Sequence, residues 1–142
     1  MKLVRKLIRL LCMRSHRSGV ATGLVPMNEL RSAVVFAGSN DPDRGLLERR
    51  VRAFMGAANI NVQFVYPDSR NIRTDSDLFI SLVPKSSIDE RYAALSSTAR
   101  FKVGRHQLSG GVYDLVVTDN ESVSASSTDA FETISNLITN IR

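Results

Sequence analysis

A chain of 142 residues is long enough for one domain with its own core and too short for two ordinary ones. With 43% hydrophobic and 23% charged residues it is neither a disordered nor a fibrous chain, and the absence of Trp makes the core largely aliphatic. The net charge of +5 is unevenly placed: residues 1–31 hold seven of the 19 basic residues against one of the 14 acidic ones, leaving 12 basic and 13 acidic for the rest. The high isoelectric point therefore belongs to the N-terminal segment and says nothing of a basic globular surface.

Residues 1–17 read as a basic amphipathic helix. Leu3, Val4, Leu7, Ile8, Leu10 and Leu11 recur at helical spacing, while Lys2, Arg5, Lys6 and Arg9 fall on the opposite face. Charges interrupt the apolar run too often for a membrane span or a secretory signal. The stripe suits packing on the domain or on another copy, contact with an anionic membrane or nucleic acid, or an organellar targeting segment. Residues 18–31, with Gly19, Gly23 and Pro26, have no period and are expected to form a linker.

The domain is expected to occupy residues 32–142. A continuous apolar run from Ser32 to Gly38 has the pattern of a strand buried on both faces. Asp41 and Pro42 then supply a helix start, and Leu47, Val51, Phe54 and Met55 form an inward stripe. Ile60, Val62, Phe64 and Tyr66 alternate along a second strand that stops at Pro67. The polar segment 68–76 shows no helical stripe, although a parallel crossover usually needs a dozen residues. Leu78 to Val83 reads as a central strand. Ser87 and Glu90 have capping-box spacing, before a helix with a stripe of Ile88, Tyr92 and Leu95.

A fourth strand carries Phe101 and Val103 on one face and Lys102 on the other, with Gly104 giving room for the turn out of it. A loop through Gln107 and Gly111 leads to a fifth strand over Val112 to Thr118, in which Tyr113 is expected to be half-buried with a solvated hydroxyl. The same loop is short enough to close a hairpin. A last helix from about Asp129, capped within Ser126 to Thr128, turns Phe131, Ile134, Leu137, Ile138 and Ile141 inward. Alternating strands and helices of this kind predict a three-layer Rossmann-like or flavodoxin-like α/β sandwich with about five mainly parallel strands in the order 2-1-3-4-5.

The Asp77-led run to Leu82, the run from Ser97 to Arg105 and the Val112-Tyr113-Asp114-Leu115-Val116-Val117 strand together resemble an uncharacterised bacterial family of small α/β proteins known mainly from Bacteroidetes. The resemblance covers roughly residues 30–142 and implies a cytoplasmic α/β domain. It lends no activity.

In an open α/β sheet ligands bind beyond the carboxyl ends of the strands near the switch point. That rule makes Asn40, Lys85, Ser86, Arg105 and His106 the candidate ligand-binding residues, with an anion the natural ligand for Lys85 and Arg105. The first strand-to-helix turn lacks the glycine fingerprint of a dinucleotide site and the P-loop Gly-Lys-Ser, and Asp41 and Asp43 stand where they would repel phosphate. No cofactor is therefore expected. A lone Cys12 and the well-separated His16 and His106 give no pattern for a metal or for Cys-His catalysis. His106 is the default general base if there is one, and otherwise a surface loop residue. Lys102, Gly104 and Arg105 lack the aromatic interleaving of a nucleic-acid surface.

These readings favour a non-enzymatic accessory or interaction protein whose N-terminal helix docks on a partner or an anionic surface through Lys2, Arg5, Lys6 and Arg9. The expected location is cytoplasmic or peripheral to the inner face of the membrane. The alternative is a domain that binds a phosphate- or nucleotide-sugar-like molecule, or transfers it, at the strand carboxyl-end loops.

Overall fold

The computed structural model describes residues 23–38, 42–70, 75–108, 111–117 and 126–141. The expected helix at 1–17, Asn40 and the cap at Asp41 lie outside them. Five strands, β1 (Ser32–Phe36), β2 (Asn61–Val65), β3 (Leu78–Ser81), β4 (Phe101–Gly104) and β5 (Leu115–Val116), form one sheet in the order β2-β1-β3-β4-β5. Every neighbouring pair is parallel, so the hairpin considered for the last two strands does not form. Val35 at the centre pairs with Phe64 on one side and Ile80 on the other.

Helices α1 (Arg44–Ala57) and α3 (Ser127–Thr139) share one face of the sheet, and α2 (Ile88–Ser96) covers the other. The first face buries Leu47, Val51 and Met55 of α1 and Phe131, Ile134 and Ile138 of α3 against Val35, Ile80, Phe101 and Val103. Phe54 meets Phe131 edge to face at 5.7 Å between ring centroids. The second packs Ala93 and Ala94 of α2 against Val34, Phe36 and Phe79. This is the three-layer α/β architecture that the alternation of elements predicts.

Local chemistry places the ends. Helix α1 starts two residues later than expected, with Asp43 at the N-cap position, and the chain leaves it through Asn59 at φ 59°, a left-handed conformation that Asn tolerates better than most side chains. Ser87 caps α2 by accepting from the Glu90 N–H at 3.1 Å, and Ser126 caps α3 by accepting from the Asp129 N–H at 3.1 Å. At the opposite edge of the sheet Asp77 ties three segments together. Its N–H donates to Ser32, its carboxylate accepts from the Arg31 N–H at 2.8 Å, and its carbonyl accepts from the Arg100 N–H at 3.0 Å.

Three expectations of burial change. The inward face of α2 is Asp89, Glu90, Ala93 and Ala94, with Ile88, Tyr92 and Leu95 at its margin, because small alanines let the helix lie close to the sheet. Leu137 of α3 is exposed, on the flank beside the stripe. In the segment expected as a linker, residues 23–31 lie on the domain: Gly23 N–H donates to Arg100 O at 2.8 Å, Val25 and Met27 pack on the core, and Leu30 is 1% exposed.

Leu30 is thus a core residue outside any regular element. Leu30→Ala is expected to cost about 2–5 kcal/mol in denaturant unfolding. Leu24→Ala, at a residue 58% exposed, should stay within about 0.5 kcal/mol of the parent.

Candidate functional site

The carboxyl ends of β3 and β4 carry a buried polar network centred on Glu90, which is fully buried in the first turn of α2. Ser81, the last residue of β3, donates to Glu90 Oε2 at 2.6 Å, and the Tyr113 hydroxyl donates to the same oxygen at 2.6 Å. His106 Nε2 lies 2.8 Å from Glu90 Oε1. An ionised carboxylate only accepts, so Nε2 carries a proton and donates it to Glu90. The Nδ1 of the ring is buried and has no hydrogen-bond partner among the described residues. Glu90 therefore fixes the orientation of the imidazole.

The half of the capping box that Glu90 would supply is diverted into this network, while Ser87 supplies the other half. Tyr113 is buried, contrary to the solvated hydroxyl expected of it. Its ring stacks on Phe79 at 6.5 Å between centroids and lies against Gly104, where a Cβ would come within 2.5 Å of the ring. Gly104 thus makes room for the tyrosine rather than for a turn. Burial raises the Tyr113 pKa far above the usual phenol range, and the charge of Glu90 and the hydrogen bond to it push in the same direction.

The fifth strand is shorter than its sequence suggests, because Gln107 takes the backbone bonds of its first residues. Gln107 Oε1 accepts from the N–H groups of Val112 and Tyr113, both at 2.9 Å, and Nε2 donates to Tyr113 O at 2.9 Å. Asp114 then clips onto β4: its carboxylate accepts from the Lys102 N–H at 2.8 Å and its N–H donates to Lys102 O at 2.8 Å.

The basic residues in and just after β4 point inward. Lys102 is 6% exposed and its Nζ donates to Ala94 O, in the last turn of α2, at 2.8 Å. Arg105 is 4% exposed and its Nη1 donates to Leu82 O at 3.1 Å. Neither side chain lies on a nucleic-acid-facing surface. Lys85 and Ser86 are exposed on the connection from β3 to α2, so they share this edge of the sheet without joining its buried network. Of the expected site residues the structure seats Arg105 and His106 at the end of β4 and gives His106 a carboxylate partner. Sequence reasoning missed Ser81, Glu90 and Tyr113 as parts of one cluster. The available signal was that Glu90 shares a helical face with Ala93, Ala94 and Ser97.

Among the described residues no cluster of three or more metal-ligating side chains occurs, and no helix is long and apolar enough to cross a membrane. In comparisons with known proteins the chain matches no family model, no curated protein and no solved structure.

Two outcomes follow from this geometry. Gly104→Ala is expected to destabilise the domain by about 1–3 kcal/mol, since the tyrosine ring must move or the strand must shift, and Gly104→Ala with Tyr113→Leu should recover part of the loss in urea unfolding. The second concerns pH. The folded pKa of Tyr113 lies above its unfolded value of about 10, so its stabilising contribution is complete below that pH and is lost as pH rises beyond it. Tyr113→Phe should flatten the fall in stability measured above about pH 10. Some fall should remain, because burial and the bond to Glu48 also raise Tyr66.

Proposed function

We propose that the chain is a non-enzymatic accessory protein that docks on an anionic membrane surface through its basic amphipathic N-terminal segment. The α/β domain is the part held there. The reading includes a cytoplasmic location at the inner face of the membrane and kinship with the Bacteroidetes-type family that the strand motifs resemble.

The observation that carries it is the division of charge. Residues 1–31 hold seven basic residues against one acidic, and the remainder holds 12 against 13. Among the described residues burial leaves that balance unchanged, since Lys102 and Arg105 are offset by the buried Asp89 and Glu90. The positive excess therefore stays with the N-terminal segment. A lipid surface suits it better than RNA, because Leu3, Leu7, Ile8 and Leu11 require an apolar layer beneath the basic face. Each Lys or Arg near an anionic leaflet contributes about 1 kcal/mol, so Lys2, Arg5, Lys6 and Arg9 together suffice for reversible attachment.

The packing of residues 23–31 sets where to cut. A variant lacking residues 1–22 keeps Val25, Met27 and Leu30 on the core and isolates the segment. At low salt the full chain should sediment with vesicles containing phosphatidylglycerol and leave purely zwitterionic vesicles alone, with binding weakening as salt is raised. The shortened chain should remain in the supernatant. Equal sedimentation of both chains overturns the reading, and binding of the full chain to single-stranded RNA but not to vesicles replaces the lipid with RNA.

A further inference from the structure

The N-terminal end of α3 holds a buried hydroxyl to which no described residue bonds. Thr128 is 6% exposed, and its Oγ1 has no hydrogen-bond partner among the described residues. Buried polar side-chain atoms are nearly always satisfied, so an exception points to a missing partner. Thr128 is the second residue of a 13-residue helix. The Cα–Cβ bonds of a helix tilt toward its N-terminus, so this side chain leans toward the helix end, where the first N–H groups have no intrahelical acceptor. Ser126 takes the Asp129 N–H, leaving the amides of Ser127 and Thr128 for another acceptor.

Positive charge is brought to the same place. Ser127 Oγ donates to Leu82 O at 3.4 Å, and Arg105 Nη1 donates to that carbonyl at 3.1 Å. Phe101 and Val103 face the layer of α1 and α3, and Arg105, just beyond the end of β4, reaches the same layer through the Leu82 carbonyl that it shares with Ser127. Leu82 follows β3, which pairs with β1 at the point where the strand order reverses. Hydroxyl, helix amides and guanidinium are all donors, the Asp129 carboxylate of the same turn is exposed, and a buried group of donors takes an acceptor with negative charge.

We propose that the N-terminal end of α3 binds a phosphate-type oxyanion, with Thr128 Oγ1 and the first-turn amides donating to its oxygens and Arg105 offsetting its charge. The ligand is free phosphate or the phosphoryl group of a small ester, and neither uses the N-terminal segment.

Inorganic phosphate, titrated into the full chain against chloride at matched ionic strength, tests this by thermal unfolding and by phosphorus NMR line width. Phosphate should raise the unfolding temperature and broaden its own resonance, and chloride should do neither. Thr128→Val should weaken phosphate binding about tenfold, the loss of one hydrogen bond to a charged group, while Thr128→Ser stays within about threefold. If Thr128→Val folds poorly, Thr128→Ala gives the same comparison. An equal response to chloride, or equal phosphate affinity in the variants that lack the hydroxyl, overturns the site. An internal water satisfying Thr128 produces that second result. Methyl phosphate binding as tightly as inorganic phosphate assigns the site to esters, and loss of binding on methylation assigns it to the free ion. The chain lacking residues 1–22 should bind phosphate unchanged, which separates this result from the membrane experiment.

Discussion

The Glu90 carboxylate is the interaction on which the arrangement of this edge of the sheet depends. A charged group without solvent contact carries a desolvation cost of several kcal/mol unless donors surround it. Here the donors come from three different places: Ser81 at the end of β3, His106 after β4 and Tyr113 ahead of β5. Glu90 itself stands on α2. Displacing any one of these segments strips a donor from a buried charge, so the carboxylate couples their positions. The two alanines that follow it, Ala93 and Ala94, let α2 approach closely enough for the bonds to form.

The coupling matters because the last two strands are parallel with no helix assigned among the described residues that join them. A crossover of this kind usually stacks a helix on the sheet to bury its apolar face. In its place Tyr113 covers part of that face, over Phe79 and against Gly104, while Gln107 satisfies the backbone that would otherwise look for a strand partner. One tyrosine and one glutamine do locally what a helix does elsewhere in the fold. The dependence on Gly104 is a direct consequence, since the ring occupies the volume of a side chain there.

Much of this fold is legible in the sequence because its information is periodic. Ser32 to Phe36 and the Leu78 run are apolar on both faces, as strands beneath two helical layers must be, and Leu47, Val51 and Met55 mark their helix without ambiguity. The strand order follows from alternation and handedness. The site was harder to read, since its members contact one another across 9 to 23 positions of chain. Charged residue types also pointed the wrong way. Glu90 and Lys102 belong to types that usually face water, and each is inside because a specific partner waits there. Ile88, Tyr92 and Leu95 misled for the opposite reason: hydrophobicity alone favoured them over the alanines that fit the closer contact.

The same pairing shapes how charge is distributed over the molecule. Asp89 and Glu90 lie in the first turn of α2, where the helix dipole favours negative charge, and the Lys102 ammonium meets Ala94 O in the last turn, where it favours positive charge. The buried ions of this layer thus complement the helix they surround and cancel one another. Arg105 sits at the other end of the argument, buried beside the N-terminus of α3, where a cation is opposed by the helix dipole and an anion is favoured. The Leu82 carbonyl, which also accepts from Ser127 of α3, is one of the contacts that hold the guanidinium at that end. The lysine thus sits where the dipole of its helix favours a cation, and the arginine sits where the dipole of its helix opposes one, which is why the two buried cations of neighbouring positions place different demands on their surroundings.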